Sequence, residues 1–199
     1  SWAGIGLGNG DPFKVLKRVL GNKFAKMRWK TIQCLIIDEI SMMSIQLFEL
    51  LDFIGKHIRQ NEKPFGGIQL VLVGDFFQLP PINKESDIVQ YCFQSPLWNQ
   101  AITKTIQLTS IYRQEDKKFA SILNQIRIGR IKYSTLKILK DRQIEYPPSS
   151  IRPTIILSRR KDVDAINNNE LHKLATDGSV TYHSEYVNEY SEIERNMFE

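Results

Sequence analysis

Two acidic residues stand side by side at the end of an apolar stretch of the sequence. Asp38 and Glu39 follow "CLII" directly and precede "ISMM". In an open parallel sheet, ligands bind beyond the carboxyl ends of the strands, where the chain leaves the sheet. A buried strand that ends on two carboxylates therefore suits a metal ion or a polar reaction. Acidic capping of the next helix, which the helix dipole favours, is the structural alternative.

Three more polar residues follow other apolar stretches. Asp75 and Gln78 lie in "GDFFQLPP", and Arg113 lies in "IYRQ". An amide such as that of Gln78 can accept a hydrogen bond from water and donate one to a phosphate oxygen. A guanidinium matches the geometry of a phosphate with paired donors. These residue types indicate chemistry on a phosphate group.

The same residues fit two kinds of enzyme. In a nucleoside triphosphatase, Asp38 would hold Mg²⁺ and Glu39 would orient and deprotonate the attacking water. In a nuclease, Asp38, Glu39 and Asp75 would hold two metal ions about 3.5–4 Å apart. A nuclease would have no need of Gln78 and Arg113, so the presence of both favours the triphosphatase.

The apolar stretches predict the elements that position these side chains. Residues 31–40 and 66–76 are rich in Ile, Leu and Val, which is typical of strands buried on both faces of a parallel sheet. Between them, Ser44 is a plausible helix cap before apolar residues at helical spacing, namely Phe48, Leu51, Ile54 and Ile58. Residues 105–114 are predicted to form a third strand. The result is an α/β fold with a mainly parallel sheet.

The second half of the sequence predicts further helices and a domain boundary. "KKFASILNQIRIGR" has the pattern of a helix that Gly129 ends, and a short helix is predicted from Ser134. "YPPSS" at 146–150 is the predicted boundary. A strand and a helix in residues 152–174 would then begin a second α/β unit.

Charge is distributed unevenly along the 199 residues, whose net charge is +5. Residues 113–161 contain 13 basic and 4 acidic residues, and such an excess suits a polyanion. A non-catalytic nucleic-acid-binding module is therefore an alternative to both enzymes. No stretch approaches the roughly 18 apolar residues of a membrane-spanning helix, and two cysteines without metal-ligand spacing favour a reducing compartment.

Several segments together resemble one known family. They are "SWAGIGLG", "LIIDEISMM", "KPFGGIQLVLVGDFFQLPP", "FQSPLW" and "LTSIYRQEDKKFASILNQIRIGR". Their types and order are similar to those of the PIF-type (petite integration frequency) 5′-to-3′ DNA helicases of superfamily 1B. The resemblance runs from residue 1 to about residue 174, and "KPFGGIQL" lies where this family has its own signature region.

The resemblance implies roles for four residues in ATP hydrolysis. Asp38 would be the Mg²⁺ ligand and Glu39 the catalytic base. Gln78 would contact the γ-phosphate and relay its state to the DNA, and Arg113 would be the arginine finger. ATP would be the substrate, with Mg²⁺ as its cofactor.

The resemblance also implies a path for single-stranded DNA. Trp2 and Gly4 in "SWAGIG" would lie beside the strand, and Phe76 and Pro80 would belong to the same DNA-binding surface. Residues 82–94 would form a small β insertion, a wedge near the point of strand separation.

The implied architecture is a RecA-like fold of the P-loop NTPase type. Residues 1–114 would form the first domain, residues 115–150 connecting helices, and residues 151–199 the start of a second RecA-like domain. The phosphate-binding pattern G-x-x-x-x-G-K-[ST] occurs nowhere in the sequence, which opens at Ser1 in "SWAGIG". We therefore expect a piece of a longer helicase, without its first strand and phosphate loop and inactive on its own.

The implied function of the intact helicase is ATP-dependent movement along single-stranded DNA and unwinding of forked duplexes in the 5′-to-3′ direction. Work in DNA repair, recombination and telomere maintenance follows from the family, as does a location in the nucleus or the mitochondrion. No membrane partner is expected.

Overall fold

The computed structural model of the chain describes residues 2–82, 88–143 and 154–174, together with residues 180 and 182. The chain divides into two compact units, Ser1–Gln143 and Ile144–Glu199. The predicted boundary at 146–150 lies outside the described residues. No helix in the described ranges is long and apolar enough to cross a membrane.

The first unit contains two strands and six helices in its described ranges. The strands are β1 (Cys34–Ile37) and β2 (Gln69–Leu72). The helices are α1 (Pro12–Gly21), α2 (Lys23–Thr31), α3 (Ile45–Arg59), α4 (Trp98–Ala101), α5 (Lys117–Arg127) and α6 (Tyr133–Lys140). In the second unit, α7 spans Arg160–Leu174.

Side-chain caps explain where the longer helices begin. Asp11, Asn22, Ser44 and Asp116 accept hydrogen bonds from backbone N–H groups in the first turns of α1, α2, α3 and α5. Each cap satisfies donors that the helix itself leaves unpaired. The predicted helix after Ser44 and the predicted helix ended by Gly129, whose φ is +67°, are both confirmed.

The two strands run parallel, with Cys34 opposite Gln69 and Ile37 opposite Leu72. The pairing continues past the strands, since the Ile40 N–H donates to the Val73 carbonyl at 3.0 Å. Helix α3 connects β1 to β2, as the predicted strand, helix, strand unit requires. The predicted mixed α/β fold with parallel strands is confirmed.

The prediction that both faces of the sheet are buried is wrong for the described residues. Leu35 and Leu70 pack against the core, but Ile36 and Val71 on the opposite face are 68% and 39% exposed. Helices of the described ranges cover one face only.

Two further predicted strands are absent from the described residues. Residues 105–114 contain no strand, and Ile106 and Leu108 are exposed. The apolar pattern is present, but no described strand pairs with it, and a strand without a ladder partner leaves its backbone groups unpaired. In the second unit, described residues 154–159 likewise contain no strand.

The described part of the predicted β insertion at 82–94, namely residues 82 and 88–94, contains no strand. That part has one antiparallel bridge, between Ser44 and Tyr91, and a 3₁₀ turn over Cys92–Gln94. Residues 83–87 lie outside the described residues. The described residues of this segment therefore contain too little backbone pairing for a hairpin arm.

The core centres on α3 and the turn that follows it. Trp29, Phe48 and Phe65 are completely buried. The buried Asp52 carboxylate accepts a hydrogen bond from the Phe65 N–H at 2.7 Å and pairs with Lys56 at 2.7 Å. The 3₁₀ turn Pro64–Gly67 is thereby fastened to α3 just before β2 begins.

Arg59 ties this turn to helix α2. Its Nε donates to the Gly66 carbonyl at 2.8 Å. Its Nη1 lies 3.0–3.1 Å from the carbonyls of Trp29, Lys30 and Ile32, where α2 ends. A guanidinium among the last carbonyls of a helix satisfies acceptors that the helix cannot pair itself.

The two thiols should differ strongly in reactivity. Cys92 is fully buried, and burial raises its pKa to about 11, whereas Cys34 is half-buried. Because the thiolate is the reactive form, we expect Cys92 to be alkylated at pH 8 at least about tenfold more slowly than Cys34. Mass spectrometry of time-quenched iodoacetamide reactions measures both rates, with urea-unfolded chain as the control. Equal rates in the folded chain would contradict the burial of Cys92.

Candidate functional site

The acidic pair lies in a tight turn directly after β1. Glu39 has φ +52° and ψ +45°, which is the left-handed region. The Asp38 Oδ1 accepts a hydrogen bond from the Glu39 N–H at 2.8 Å, and both side chains are exposed. A residue with a Cβ pays strain to occupy this region, and such strain is often found at functional sites. We call residues 38–40 the carboxylate turn.

Gly74 lets the chain after β2 pass close to this turn. Its φ is +152°, and an added Cβ would lie 2.9 Å from the Ile40 nitrogen. Residues 74–81, which we call the glutamine loop, therefore begin against the carboxylate turn at the same edge of the sheet. This is the adjacency that the parallel strands predict.

Asp75 organises the glutamine loop. Its Oδ1 accepts a hydrogen bond from the Phe77 N–H at 3.1 Å, and its carbonyl accepts one from the Gln78 N–H at 2.9 Å. The Gln78 side-chain Nε2 lies 3.5 Å from the Asp75 Oδ2, a long contact that a ligand can replace. Gln78 and Pro80 are exposed.

Arg127, at the end of α5, is a site residue that the sequence reasoning missed. Its Nε lies 2.5 Å from the Asp75 Oδ2, and its Nη2 lies 2.8 Å from the Asp75 Oδ1. Its guanidinium carbon stands 4.7 Å from the centre of the Phe77 ring. The two partners are 52 positions apart in the chain, so no local pattern relates them.

Arg127 shifts the titration of Asp75. Its hydrogen bonds lower the pKa of the Asp75 carboxyl below the usual 3.8, with a smaller contribution from the Phe77 N–H and against the opposing effect of burial. Asp75 is therefore ionised and paired at neutral pH.

This pairing also bears on the nuclease alternative. Both carboxylate oxygens of Asp75 are engaged by Arg127. Among the residues that the structure describes, no group of three or more His, Cys, Asp or Glu side chains is arranged to hold a metal ion. The predicted cluster of Asp38, Glu39 and Asp75 does not form.

Arg113 is not brought to the other site residues by any described contact. It is exposed, in the segment between α4 and α5 that was expected to be a strand. Within the described ranges it forms no hydrogen bond or ion pair, including none with Glu115 or Asp116. Its role as the arginine finger stays a prediction.

The predicted DNA-contacting segment packs on α2. The Trp2 ring, 37% exposed, lies 5.2 Å from the Trp29 ring at an angle of 51°. The Arg28 Nε donates to the Trp2 carbonyl at 2.8 Å, and the Trp29 Nε1 donates to the Ala3 carbonyl at 3.0 Å. Gly4, at φ +68°, has no room for a Cβ, which would lie 2.6 Å from the Ala25 Cβ. The loop is thus fixed with part of the Trp2 ring facing outward.

Phe76 is placed differently from the other predicted DNA contacts. It is half-buried in an aromatic cluster with Tyr91, Phe93 and Trp98, whose ring centres lie 6.0, 4.8 and 5.9 Å away. Tyr91 and Phe93 stack on each other at 5.2 Å. This cluster anchors the start of the glutamine loop. Its packing leaves Pro80 as the more accessible of the two predicted DNA contacts in the loop.

The chain is similar to known helicases. A family model described as PIF1-like helicase matches residues 1–137. The chain is 42% identical over 180 residues to the ATP-dependent DNA helicase RRM3 of Saccharomyces cerevisiae. The aligned region covers 88% of this chain and 25% of that protein. The chain thus spans about a quarter of the length of this relative.

Solved structures give the same result. The crystal structure of Pif1 helicase from Candida albicans matches with a TM-score of 0.80 and 38% identity, over 88% of this chain and 40% of that one. The Pif1 helicase from Bacteroides in complex with ADP-AlF3 and ssDNA matches with a TM-score of 0.66 and 26% identity, over 78% of this chain and 39% of that one. The predicted RecA-like fold is confirmed by these similarities.

Proposed function

Because this chain belongs to the PIF1-like helicase family, we propose that it is part of an ATP-dependent DNA helicase. The observation that carries the proposal is the contact between the carboxylate turn and the glutamine loop at one edge of a parallel sheet. ATP hydrolysis needs both a carboxylate to activate water and a polar group to read the terminal phosphate. Glu39 and Gln78 supply these groups on adjacent segments.

Asp38 has the chemistry of a Mg²⁺ ligand. It is an exposed carboxylate whose Oδ1 accepts the Glu39 N–H, and Mg²⁺ in nucleotide sites commonly uses one or two carboxylates together with phosphate oxygens. When bound, Mg²⁺ would neutralise charge on the phosphates. Asp38 would hold it, and the hydrogen bond to the Glu39 N–H fixes the orientation of this carboxylate.

Glu39 would act as the general base. Its left-handed backbone turns the chain away from the strand axis directly after Asp38, which favours separate tasks for the two carboxylates. One can then hold a cation while the other accepts a proton from water. Gln78 would donate its amide to a γ-phosphate oxygen, and Arg113 would stabilise the charge of the transition state.

For DNA, we propose that Trp2 contacts a base or sugar of a single strand, beside Gly4 and near Phe76 and Pro80. The partial exposure of Trp2 and its support by Trp29 suit a stacking surface. The relative from Bacteroides is a complex with single-stranded DNA, which supports the same partner here.

Truncation of Trp2 tests this part of the proposal. We expect Trp2→Ala to weaken binding of the 199-residue chain to a fluorescent dT oligonucleotide about tenfold, since base stacking contributes about 1–3 kcal/mol. Fluorescence anisotropy at fixed salt measures the affinity. Tyr133→Ala removes a more exposed aromatic ring as the matched control. Equal affinities of the two variants would contradict a DNA contact at Trp2.

The family resemblance supports the finer assignments. We propose 5′-to-3′ movement, action on forked DNA, and work in repair, recombination and telomere maintenance in the nucleus or the mitochondrion. Residues 151–199 would begin a second RecA-like domain, after a first domain at 1–114 and connecting helices at 115–150.

A further inference from the structure

We propose that Arg127 is a positioning residue for Gln78, holding the glutamine loop to the end of helix α5 through Asp75. This inference rests on the proposed function, in which Gln78 contacts the γ-phosphate of ATP. The attachment of the glutamine loop to α5, which we call the hold, is a property of the folded chain and can be measured without any nucleotide.

The contact between Arg127 and Asp75 fixes direction as well as distance. Two guanidinium nitrogens face the two carboxylate oxygens, at 2.5 and 2.8 Å. Such paired hydrogen bonds are more directional than the bond of an ammonium group to one oxygen. The guanidinium also stands over the Phe77 ring. Arg127 therefore contacts two residues of the glutamine loop, Asp75 and Phe77, on the N-terminal side of Gln78.

The glutamine loop has little other support near Gln78. Phe77, Gln78 and Leu79 are exposed, and Phe76 is the residue that packs into the aromatic cluster. Between Phe76 and Pro80, the described hydrogen bonds run to Asp75, from the Phe77 N–H and from Gln78. The orientation of Asp75 thus sets the position of Gln78.

Helix α5 is a firm partner for the loop. Asp116 caps its start by accepting from the Lys118 and Phe119 N–H groups at 2.8 and 3.1 Å. Near its end, the Gln125 Oε1 accepts from the Thr135 hydroxyl at 2.8 Å, which braces α5 against α6. A shift of α5 would therefore carry Asp75 with it.

Helix α5 also follows Arg113 in the chain, with its first residue, Lys117, four positions later. One end of the helix is then joined to the proposed arginine finger, and the other holds the loop of the proposed phosphate sensor. Helix α5 therefore lies between the two residues along the chain, independently of any nucleotide.

Hydrogen exchange of residues 74–81 tests the hold in the 199-residue chain. We expect Arg127→Gln to raise the exchange rate of the Phe77 and Gln78 amides about fivefold, and Arg127→Lys to raise it less, because an ammonium meets one oxygen at a time. Lys118→Gln, an exposed cation removed from the same helix, is the control and should leave both rates unchanged. Unchanged rates in Arg127→Gln would overturn the proposal.

A double variant shows whether Arg127 acts through Asp75. If it does, Asp75→Asn combined with Arg127→Gln should exchange no faster than Asp75→Asn alone, since the second change removes a contact already lost. Independent, multiplying effects of the two substitutions would overturn the assignment.

ATP turnover separates this inference from the proposed function. In an ATP-hydrolysing protein that contains this chain, Arg127→Gln should lower kcat about tenfold and leave the KM for ATP nearly unchanged, because misplacement of a catalytic group acts on the chemical step. Faster exchange with an unchanged kcat would refute the link to Gln78. A wild-type protein without ATPase activity would refute the proposed function, while the exchange result would still decide the hold.

Discussion

Replacing Glu39 with glutamine is expected to reduce ATP hydrolysis about 10³-fold in a protein that contains this chain, because a general base contributes about 10²–10⁴-fold. The amide cannot accept the proton of the attacking water. Binding of ATP and of DNA should remain, since neither is assigned to Glu39. Steady-state ATPase assays with single-stranded DNA, together with anisotropy of labelled nucleotide and oligonucleotide, measure both properties.

The backbone of Glu39 makes glutamine the right replacement. Glu39 has φ +52° and ψ +45°, and Gln60 at the end of α3 has φ +51° and ψ +47°. Glutamine therefore already occupies this conformation in the chain, and the exchange keeps the shape of the carboxylate turn. Glu62→Gln, an exposed residue away from the site, is the control. ATPase activity in Glu39→Gln within threefold of the control would exclude Glu39 as the base.

Local patterns predicted the helices because helix formation depends on neighbours in sequence. Ser44 caps α3, and the four residues predicted for its apolar face are all buried, namely Phe48, Leu51, Ile54 and Ile58. The placement of the acidic pair was also predictable, since parallel strands end at one edge. The helix inferences use residues within a few positions of each other, and the edge placement follows from the general geometry of parallel strands.

The features that the sequence did not predict correctly depend on partners that are distant along the chain. Residues 105–114 have the composition of a strand, but strands exist only in pairs, and no described strand lies beside them. The ion pair of Asp75 with Arg127 joins residues 52 positions apart. Both are charged residues, which in a sequence are expected to be exposed to solvent. The amphipathic pattern of α5 indicated which residues pack against the rest of the protein. It gave no information on which acidic side chain Arg127 would pair with.

The signature segment "KPFGGIQL" was recognised by resemblance, and the structure gives its physical role. Phe65 and Gly66 adopt positive φ, and Phe65 is buried against α3. An added Cβ on Gly55 would lie 2.7 Å from the Phe65 carbonyl oxygen, so helix and turn meet backbone to backbone. Only glycine permits that approach on both sides. The segment sets where β2 starts and hence where the glutamine loop emerges.

Gly66→Ala should therefore destabilise the first unit severely. The new Cβ would lie 2.4 Å from the Gly55 carbonyl oxygen and 2.8 Å from the Arg59 Cδ, in addition to the strain of φ +66°. We expect the free energy of unfolding to fall by about 4 kcal/mol, because losses of this size accompany overpacking combined with backbone strain. Urea titrations followed by tryptophan fluorescence measure the loss.

Gly129→Ala isolates the steric part of this effect. Its φ is +67°, and an added Cβ would meet nothing within 4 Å. The two substitutions share the backbone strain, about 1–2 kcal/mol for a left-handed residue with a Cβ. The difference between them is then the cost of separating Gly66 from helix α3. Equal losses in both variants would mean that the turn relaxes freely away from α3, and the signature segment would not fix the start of β2.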